Sequence, residues 1–313
     1  MNICDLHCDT ALELYRHGYS LADAPCAVSL AKAAGYDRYV QLMAVFTDTR
    51  LDDEQGWQQF FAVRDNLLRE CETHAVPLCR TGAELGDTLQ FTEQKNIFLL
   101  TVEDARILSG KIERLEMLRD AGVSVITPLW GGQTCIGGSH NTDAGLSDFG
   151  KAVVSGCFDL GIAVDLSHAS TRSADDIFTL AEQKNGRVLA THSNAWALCR
   201  HTRNLDDGRL RRLAALDGII GMNLYVRFLS EEDDCGMDDV IRHIGYLAEI
   251  VGEDRVAFGA DWDGADVPEE LSDISCMTKL IPALEADGYS SAFLHKLFFD
   301  NACRFLTAIP AVR

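Results

Sequence analysis

Short apolar runs alternate with helical patterns from the first residues of the chain to the last. The runs Asn2–Cys8, Tyr39–Phe46, Ile97–Val102, Val123–Thr127, Ile162–Leu166, Arg187–Thr191, Gly218–Asn223 and Val256–Ala260 are five to eight residues long. Several are rich in Val, Ile, Leu and Phe without polar alternation, the pattern of strands buried on both faces. Between them, Glu54–His74 carries Trp57, Phe60, Phe61, Val63, Leu67 and Leu68 as a helical stripe. Ser147-Asp148 caps a helix to about Leu160, Ser170-Thr171 another through Ala181, and Asp206-Asp207 a third. Asp238–Val251 and Ser290–Phe299 complete the set.

Eight such strands alternating with helices predict an α/β fold, a (β/α)8 TIM barrel of the amidohydrolase-like, metal-dependent hydrolase kind. The rival is a doubly wound open sheet. The barrel is favoured because residues able to do chemistry stand at the C-terminal ends of many strands, whereas an open sheet concentrates its site at one switch point. A length of 313 residues suits a single barrel domain over 1–313. No low-complexity segment, Pro-rich linker or short-period repeat interrupts it.

Against 28 Lys and Arg stand 48 Asp and Glu, a formal net charge of −20. Such a balance argues against nucleic acid or an anionic membrane as partner. The 11 cysteines are scattered without a CxxC pair, and the opening MNICDLHCDT has neither the basic nor the long apolar stretch of a signal peptide. We therefore expect reduced thiols and a cytoplasmic location. Cys4 and Cys8 should face away from His7 and Asp9 on a strand, as ordinary buried thiols.

The candidate chemistry begins at Asp5-Leu6-His7-Cys8-Asp9. His7 and Asp9 are two residues apart, so an imidazole and a carboxylate point into one barrel mouth. Alone, the pair equally describes a buried histidine bonded to an aspartate. Glu103 follows a fully apolar strand, where a carboxylate is poorly solvated unless a positive group meets it; a rim position in water is the alternative. His168 and His192 end successive apolar strands and precede capped helices. Each alone reads as a satisfied core histidine. Together, three histidines and two carboxylates make a nitrogen-and-oxygen set for two metals, provided Glu103 bridges. Two such ions, typically ~3.5–4 Å apart, would hold a bridging hydroxide as nucleophile. Asp261, in Gly259-Ala260-Asp261-Trp262-Asp263-Gly264, stands where an acid could orient that nucleophile and protonate a leaving amine; Asp263 fits a turn better. Arg203, on the loop after the sixth strand, could clamp a substrate carboxylate or simply be a surface arginine.

The segments DLHCDT, TVEDA, GLSDFG with VDLSHAS, THSNAWALCRHTRNLDD, and GADWDG with VPEELSDIS run in order from residue 5 to about 275. Together they resemble the membrane dipeptidase (renal dipeptidase) family of metallopeptidases, peptidase family M19, in its microbial form. The resemblance implies a binuclear zinc site, with His7, Asp9, Glu103, His168 and His192 as ligands and Glu103 bridging. It also implies Asp261 as the proton-handling aspartate and Arg203 as the residue that binds the dipeptide carboxylate. Its members cleave dipeptides, often with a C-terminal D-residue, and some act on β-lactams.

One departure concerns Thr127-Pro128-Leu129-Trp130. Trp130 falls where the renal enzyme has a histidine that contacts substrate. His140, in the Gly-rich loop 131–141, could supply a donor in its place, or a zinc could carry the oxyanion alone. A second departure is the absence of the leader and lipid-anchor tail of mammalian relatives, so no membrane association is expected. The expected activity is zinc-dependent hydrolysis of a dipeptide, with the metal-bound hydroxide attacking the carbonyl. Two alternatives stand beside it: hydrolysis of another amide, a lactam or an N-acyl amino acid, and a non-catalytic metal-binding barrel. Manganese, cobalt or iron would suit the same ligands. The preferred dipeptide depends on the loops 48–56, 131–144 and 225–239. A homodimer is suggested by family analogy alone.

Overall fold

The computed structural model describes residues 1–232 and 235–310. Positions 233–234, within one of the loops singled out above, and 311–313 lie outside the described residues. In chain order the strands are β1 (Asn2–Cys8), β2 (Arg38–Phe46), β3 (Leu78–Cys79), β4 (Asn96–Glu103), β5 (Val123–Thr127), β6 (Ala163–Asp165), β7 (Val188–Leu189), β8 (Ile220–Met222) and β9 (Val256–Phe258). All pairings between them are parallel, in the order β7-β6-β5-β4-β2-β1-β9-β8. A parallel bridge between Ala190 and Ile220 joins the two ends, with Ala190 N–H donating to the Ile219 carbonyl at 2.9 Å and Gly221 N–H to the Ala190 carbonyl at 2.7 Å. The sheet is thereby an eight-stranded barrel, as the sequence pattern predicts. The two-residue strand β3 is an extra partner of β4 outside this ring.

The three helices with predicted caps form with them, and the helix expected over Glu54–His74 forms with a cap the pattern does not mark. Asp52 caps Asp53–Thr73 through a capping box with Gln55. Ser147, Ser170 and Asp206 each accept a backbone N–H at the start of Asp148–Asp159, Thr171–Lys184 and Asp207–Ala215. The expected helix Ser290–Phe299 is instead a short α-helix, Ser291–His295, a five-residue π segment, Lys296–Asp300, and a further helix, Asn301–Thr307. Periodicity alone does not announce a π segment, since it shifts the apolar stripe by only one position.

Two apolar clusters hold the molecule. The larger packs the outward strand faces against the helices, for example Met43, Val45, Phe98 and Val102 with Phe60, Val63 and Leu67. The smaller fills the barrel with inward residues that include Cys4, Val40, Leu99, Val125, Ala163, Leu189, Ala257 and, just before β8, Ile219. Phe305, Leu306 and Ile309, at and beyond the end of the last helix, belong to this inner cluster and close the N-terminal end of the barrel. The opposite end opens into the site.

Gly221 and Gly259 flank the Thr191 carbonyl. A Cβ on Gly259 would lie 1.8 Å from that oxygen, and one on Gly221 2.0 Å from it. Both strands can approach only without side chains there. Gly259→Ala is expected to lose at least ~1–3 kcal/mol of stability, the usual cost of overpacking a tight interior. The shift in the urea midpoint at unchanged m-value measures it.

Candidate metal centre and active site

The inward positions change character as the strands rise. Leu99 is followed on the same face by Thr101 and Glu103, Val125 by Thr127, and Ala163 by Asp165. In the same way Leu189 leads to Thr191, Ile219 to Gly221 and Asn223, and Ala257 to Gly259 and Asp261. A polar layer therefore caps the apolar one. On β1 the register against β2 shifts between Asp5 and Cys8. This irregularity lets Leu6 stay in the inner cluster while His7 and Asp9 enter the mouth. Cys8 turns outward to Met43, as expected, but Cys4 lies in the inner apolar layer rather than on the outer face. All eleven cysteines are unpaired.

The structure brings together every residue proposed as a ligand. His168 Nε2 is 3.0 Å and His192 Nε2 3.5 Å from Glu103 Oε1, while His7 Nε2 is 3.6 Å from the other oxygen, Oε2. His7 Nε2 is also 3.7 Å from Asp9 Oδ2 and 3.8 Å from Asp261 Oδ1. Separations of 3.5 Å or more are poor hydrogen bonds. They suit ligand atoms that each sit about 2 Å from a shared ion. Among the described residues, His7 Nε2 and Asp9 Oδ1 are buried without any hydrogen-bond partner.

Tautomers strengthen the fit. His168 Nδ1 lies 3.0 Å from the Trp130 carbonyl, which can only accept, so Nδ1 carries the proton. Thr191 Oγ1 donates to Asp165 Oδ2 at 2.5 Å and therefore accepts from His192 Nδ1 at 2.7 Å. Burial, with Arg203 acting on His168 and His7 on His192, holds both imidazoles below the ordinary histidine pKa. Each Nε2 is then a bare lone pair, and the two are 3.0 Å apart. Two lone pairs so placed repel unless a cation stands between them. Asp165 anchors this layer, accepting also from Thr127 Oγ1 and from the backbone of Ser167 and Thr191.

Charge is concentrated here. Burial and then Glu103 push Asp9 up to about 7. Burial would raise Glu103 too, but His7, His168 and His192 hold it well below the carboxylate range. For His7, burial opposes the charged form, and Glu103 and Asp9 outweigh it, raising the pKa. His168 and Asp261 both have left-handed backbone, φ 69° and 66°. Such conformations cost of order 1–3 kcal/mol and are typically held at functional sites. Gly264 is required beside them, since a Cβ there would lie 2.1 Å from Asp9 Oδ2.

Above the cluster opens a cavity of about 720 Å³ whose lining includes Trp130, His140, His201, Arg203, Tyr225 and Phe228. Arg203 is 3% exposed, and among the described residues it has no ion pair. Its Nη groups reach Ser193 Oγ at 3.5 Å and the His192 carbonyl at 3.3 Å, and Nε has no partner. Burial lowers its pKa to about 10, still a cation at neutral pH. Trp130 stacks on His168, centroids 6.0 Å apart, and meets Phe46 at a tilt of 55°, centroids 5.0 Å apart. His140 bonds Thr202 Oγ1 through Nδ1 at 2.9 Å, and its backbone N–H donates to the His168 carbonyl at 2.7 Å. Burial, followed by Arg203, His168 and His201, depresses His140 to about 3. Asp263 accepts from Thr10 Oγ1 and Ala27 N–H, the tie expected of a turn former.

Sequence reasoning missed Asn223, Tyr225, Phe228, His201 and the mouth pair Glu13 and Arg16. Asn223 alone had a usable signal, as a polar residue ending a predicted apolar strand. The others sit on loops or a helix with no periodic cue.

The model of the membrane dipeptidase family, peptidase family M19, matches residues 1–313. The chain belongs to that family. Like other M19 members it is a metallodipeptidase, here on an eight-stranded parallel barrel. The dipeptidase AC, a metallopeptidase of family M19, superposes with a TM-score of 0.89 at 27% identity, over 99% of this chain and 98% of that one. A metallopeptidase from Rhodobacter sphaeroides, solved with a phosphinate mimic of the dipeptide L-Ala-D-Ala, gives a TM-score of 0.89 at 26% identity over 99% of both chains. An uncharacterised Klebsiella pneumoniae protein, from the region 5′ of pqqA, is 32% identical over 263 residues, covering 80% of this chain and 94% of that protein. Among the described residues no helix of this M19 member is long and apolar enough to cross a membrane.

Thr191→Val removes both the acceptor that fixes His192 and the donor to Asp165. Metal affinity is expected to fall ~10–100-fold, the usual effect of losing a ligand's outer partner. Competition against a chromophoric chelator reads this directly.

Proposed function

We propose that this enzyme is a two-zinc dipeptidase that reads the free carboxylate of its substrate and accepts a D-residue at the C-terminal position. The observation that carries the reading is the division of Glu103, one oxygen toward His168 and His192 and the other toward His7. His7, Asp9 and one Glu103 oxygen would hold one zinc; the other oxygen, His168 and His192 would hold the second. When bound, zinc there supplies Lewis acidity and a water of lowered pKa.

The remaining chemistry belongs to the chain's own groups. Hydrolysis joins a water oxygen to the carbonyl carbon, breaks the C–N bond and needs a proton on the departing nitrogen. Asp261 takes that proton from the nucleophile and returns it to the amine. Arg203, buried and without an ion pair among the described residues, binds the dipeptide carboxylate in bidentate fashion. Its buried place within the mouth favours short peptides over proteins. Trp130 walls the site where the renal enzyme has histidine. His140, neutral and tied to the Arg203 loop through Thr202, is our candidate for the imidazole that touches substrate in this chain. Preference for a C-terminal D-residue is supported by the ligand of the Rhodobacter sphaeroides relative. A single domain over 1–313 and a cytoplasmic location complete the proposal; the latter is supported by eleven unpaired cysteines.

The test is amino-acid release from a panel of L,L- and L,D-dipeptides, with added zinc and again with chelator. Chelator-sensitive cleavage restored by zinc is the expected result. Intact substrate with protein carrying two zincs would sink the reading and leave an N-acyl amino acid or lactam as the class to try. Arg203→Ala should lose about 100-fold or more in kcat/KM on free dipeptides, a charge-assisted pair of bonds being worth roughly 1.5–3 kcal/mol each. C-terminally amidated substrates should lose far less. Equal losses on the two would count against the clamp.

A further inference from the structure

We infer that Asn223 is a positioning residue that dedicates one oxygen of Asp261 to proton transfer. The inference rests on the role given to Asp261 above.

Asn223 is fully buried just beyond β8. Its neighbours fix the orientation of its amide. Tyr225 N–H donates to Oδ1, so Nδ2 is the donor side. The two Nδ2 hydrogens serve two acceptors, the His192 carbonyl at 3.2 Å and Asp261 Oδ2 at 3.0 Å. The backbone of Asn223 is pinned as well. The side chain of Asn194 acts as a strand edge, its Oδ1 accepting Asn223 N–H and its Nδ2 donating to the Asn223 carbonyl, both at 2.9 Å. Flip and rotation are thus blocked from three directions.

The consequence falls on Asp261. A carboxylate torsion is broad and two-fold, so an unrestrained aspartate exchanges its oxygens freely. Here Oδ2 is committed to an uncharged donor, and Oδ1 faces the ligand cluster, 3.8 Å from His7 Nε2. Water attack releases a proton that must reach the nitrogen before the C–N bond breaks, because an amide anion does not leave. Oδ1 carries that proton in both directions. The Asn223 N–H stabilises the carboxylate before and after the transfer and gives up no proton itself. Because Asn223 Oδ1 also holds the backbone of Tyr225, which lines the cavity, the substrate wall and the proton carrier share one side chain.

The experiment compares wild type with Asn223→Ala and with the volume-conserving Asn223→Leu on two substrates. One is L-Ala-D-Ala; the other is its thioester analogue, with sulfur for the scissile N–H and both terminal charges kept. A thiolate leaves without prior protonation, since a thiolate is a far weaker base than an amide anion. The expected result is a loss of ~10–100-fold in kcat on the amide, the scale of misplaced general acid catalysis. KM should change by less than about 3-fold, zinc content should match wild type, and the thioester should lose at least about tenfold less than the amide. Equal losses on both substrates, or a change in KM alone, would overturn the assignment, since general damage does not distinguish leaving groups. Wild type inactive on both substrates overturns the dipeptidase reading itself. An Asp261→Asn variant with undiminished amide turnover overturns the proton role, and the role of Asn223 with it.

Discussion

Three carboxylates, Asp9, Glu103 and Asp261, are withdrawn from water around one imidazole nitrogen, and the rest of the molecule answers to that constraint. Like charges in a low-dielectric interior repel strongly, and burying even one unpaired carboxylate is costly. The barrel meets the constraint by convergence. Separate strand ends deliver three histidines to the same place, and outer partners commit two of those rings to a single tautomer. A fold with fewer strand ends at one mouth could not assemble this balance without long loops.

How far the sequence reveals this depends on the kind of signal. Strands were legible because parallel strands buried on both faces are short, dense apolar runs, and the helices because Ser147, Ser170 and Asp206 stand where caps belong. The site candidates were legible as polar residues ending apolar runs: His7 and Asp9, Glu103, His168, His192 and Asp261. The structure gathers all of them in one mouth. The two-residue strand Leu78–Cys79 was too short to leave a pattern, and the π segment Lys296–Asp300 disturbs the helical stripe too little to be noticed. The displacement of Cys4 to the inner layer follows from a register shift on β1, which side-chain alternation alone cannot foresee.

Part of the cavity wall also escaped the sequence, for a physical reason. Tyr225, Phe228 and His201 lie on connections whose shape is set by what they pack against. Arg203 shows the difference between identity and environment. As a letter in a loop it reads as a surface cation. In the fold its guanidinium is buried over the Phe228 ring, 5.1 Å from the centroid, with only neutral partners among the described residues. What sets it apart is that it makes no ion pair among the described residues.

The C-terminal plug has a consequence for traffic. Phe305, Leu306 and Ile309 seal the barrel at the end away from the cluster. A peptide entering at the mouth therefore reaches a dead end, and the two amino acids released from it must depart through the doorway by which it came. On the clamp proposed for Arg203, the C-terminal amino acid, which keeps the carboxylate the peptide arrived with, would stay held by that arginine, while the other, bearing the new carboxylate, is freed nearer the cluster. Turnover would then be a matter of queueing as well as of bond cleavage, an amino acid lingering on that arginine standing in the way of the next peptide.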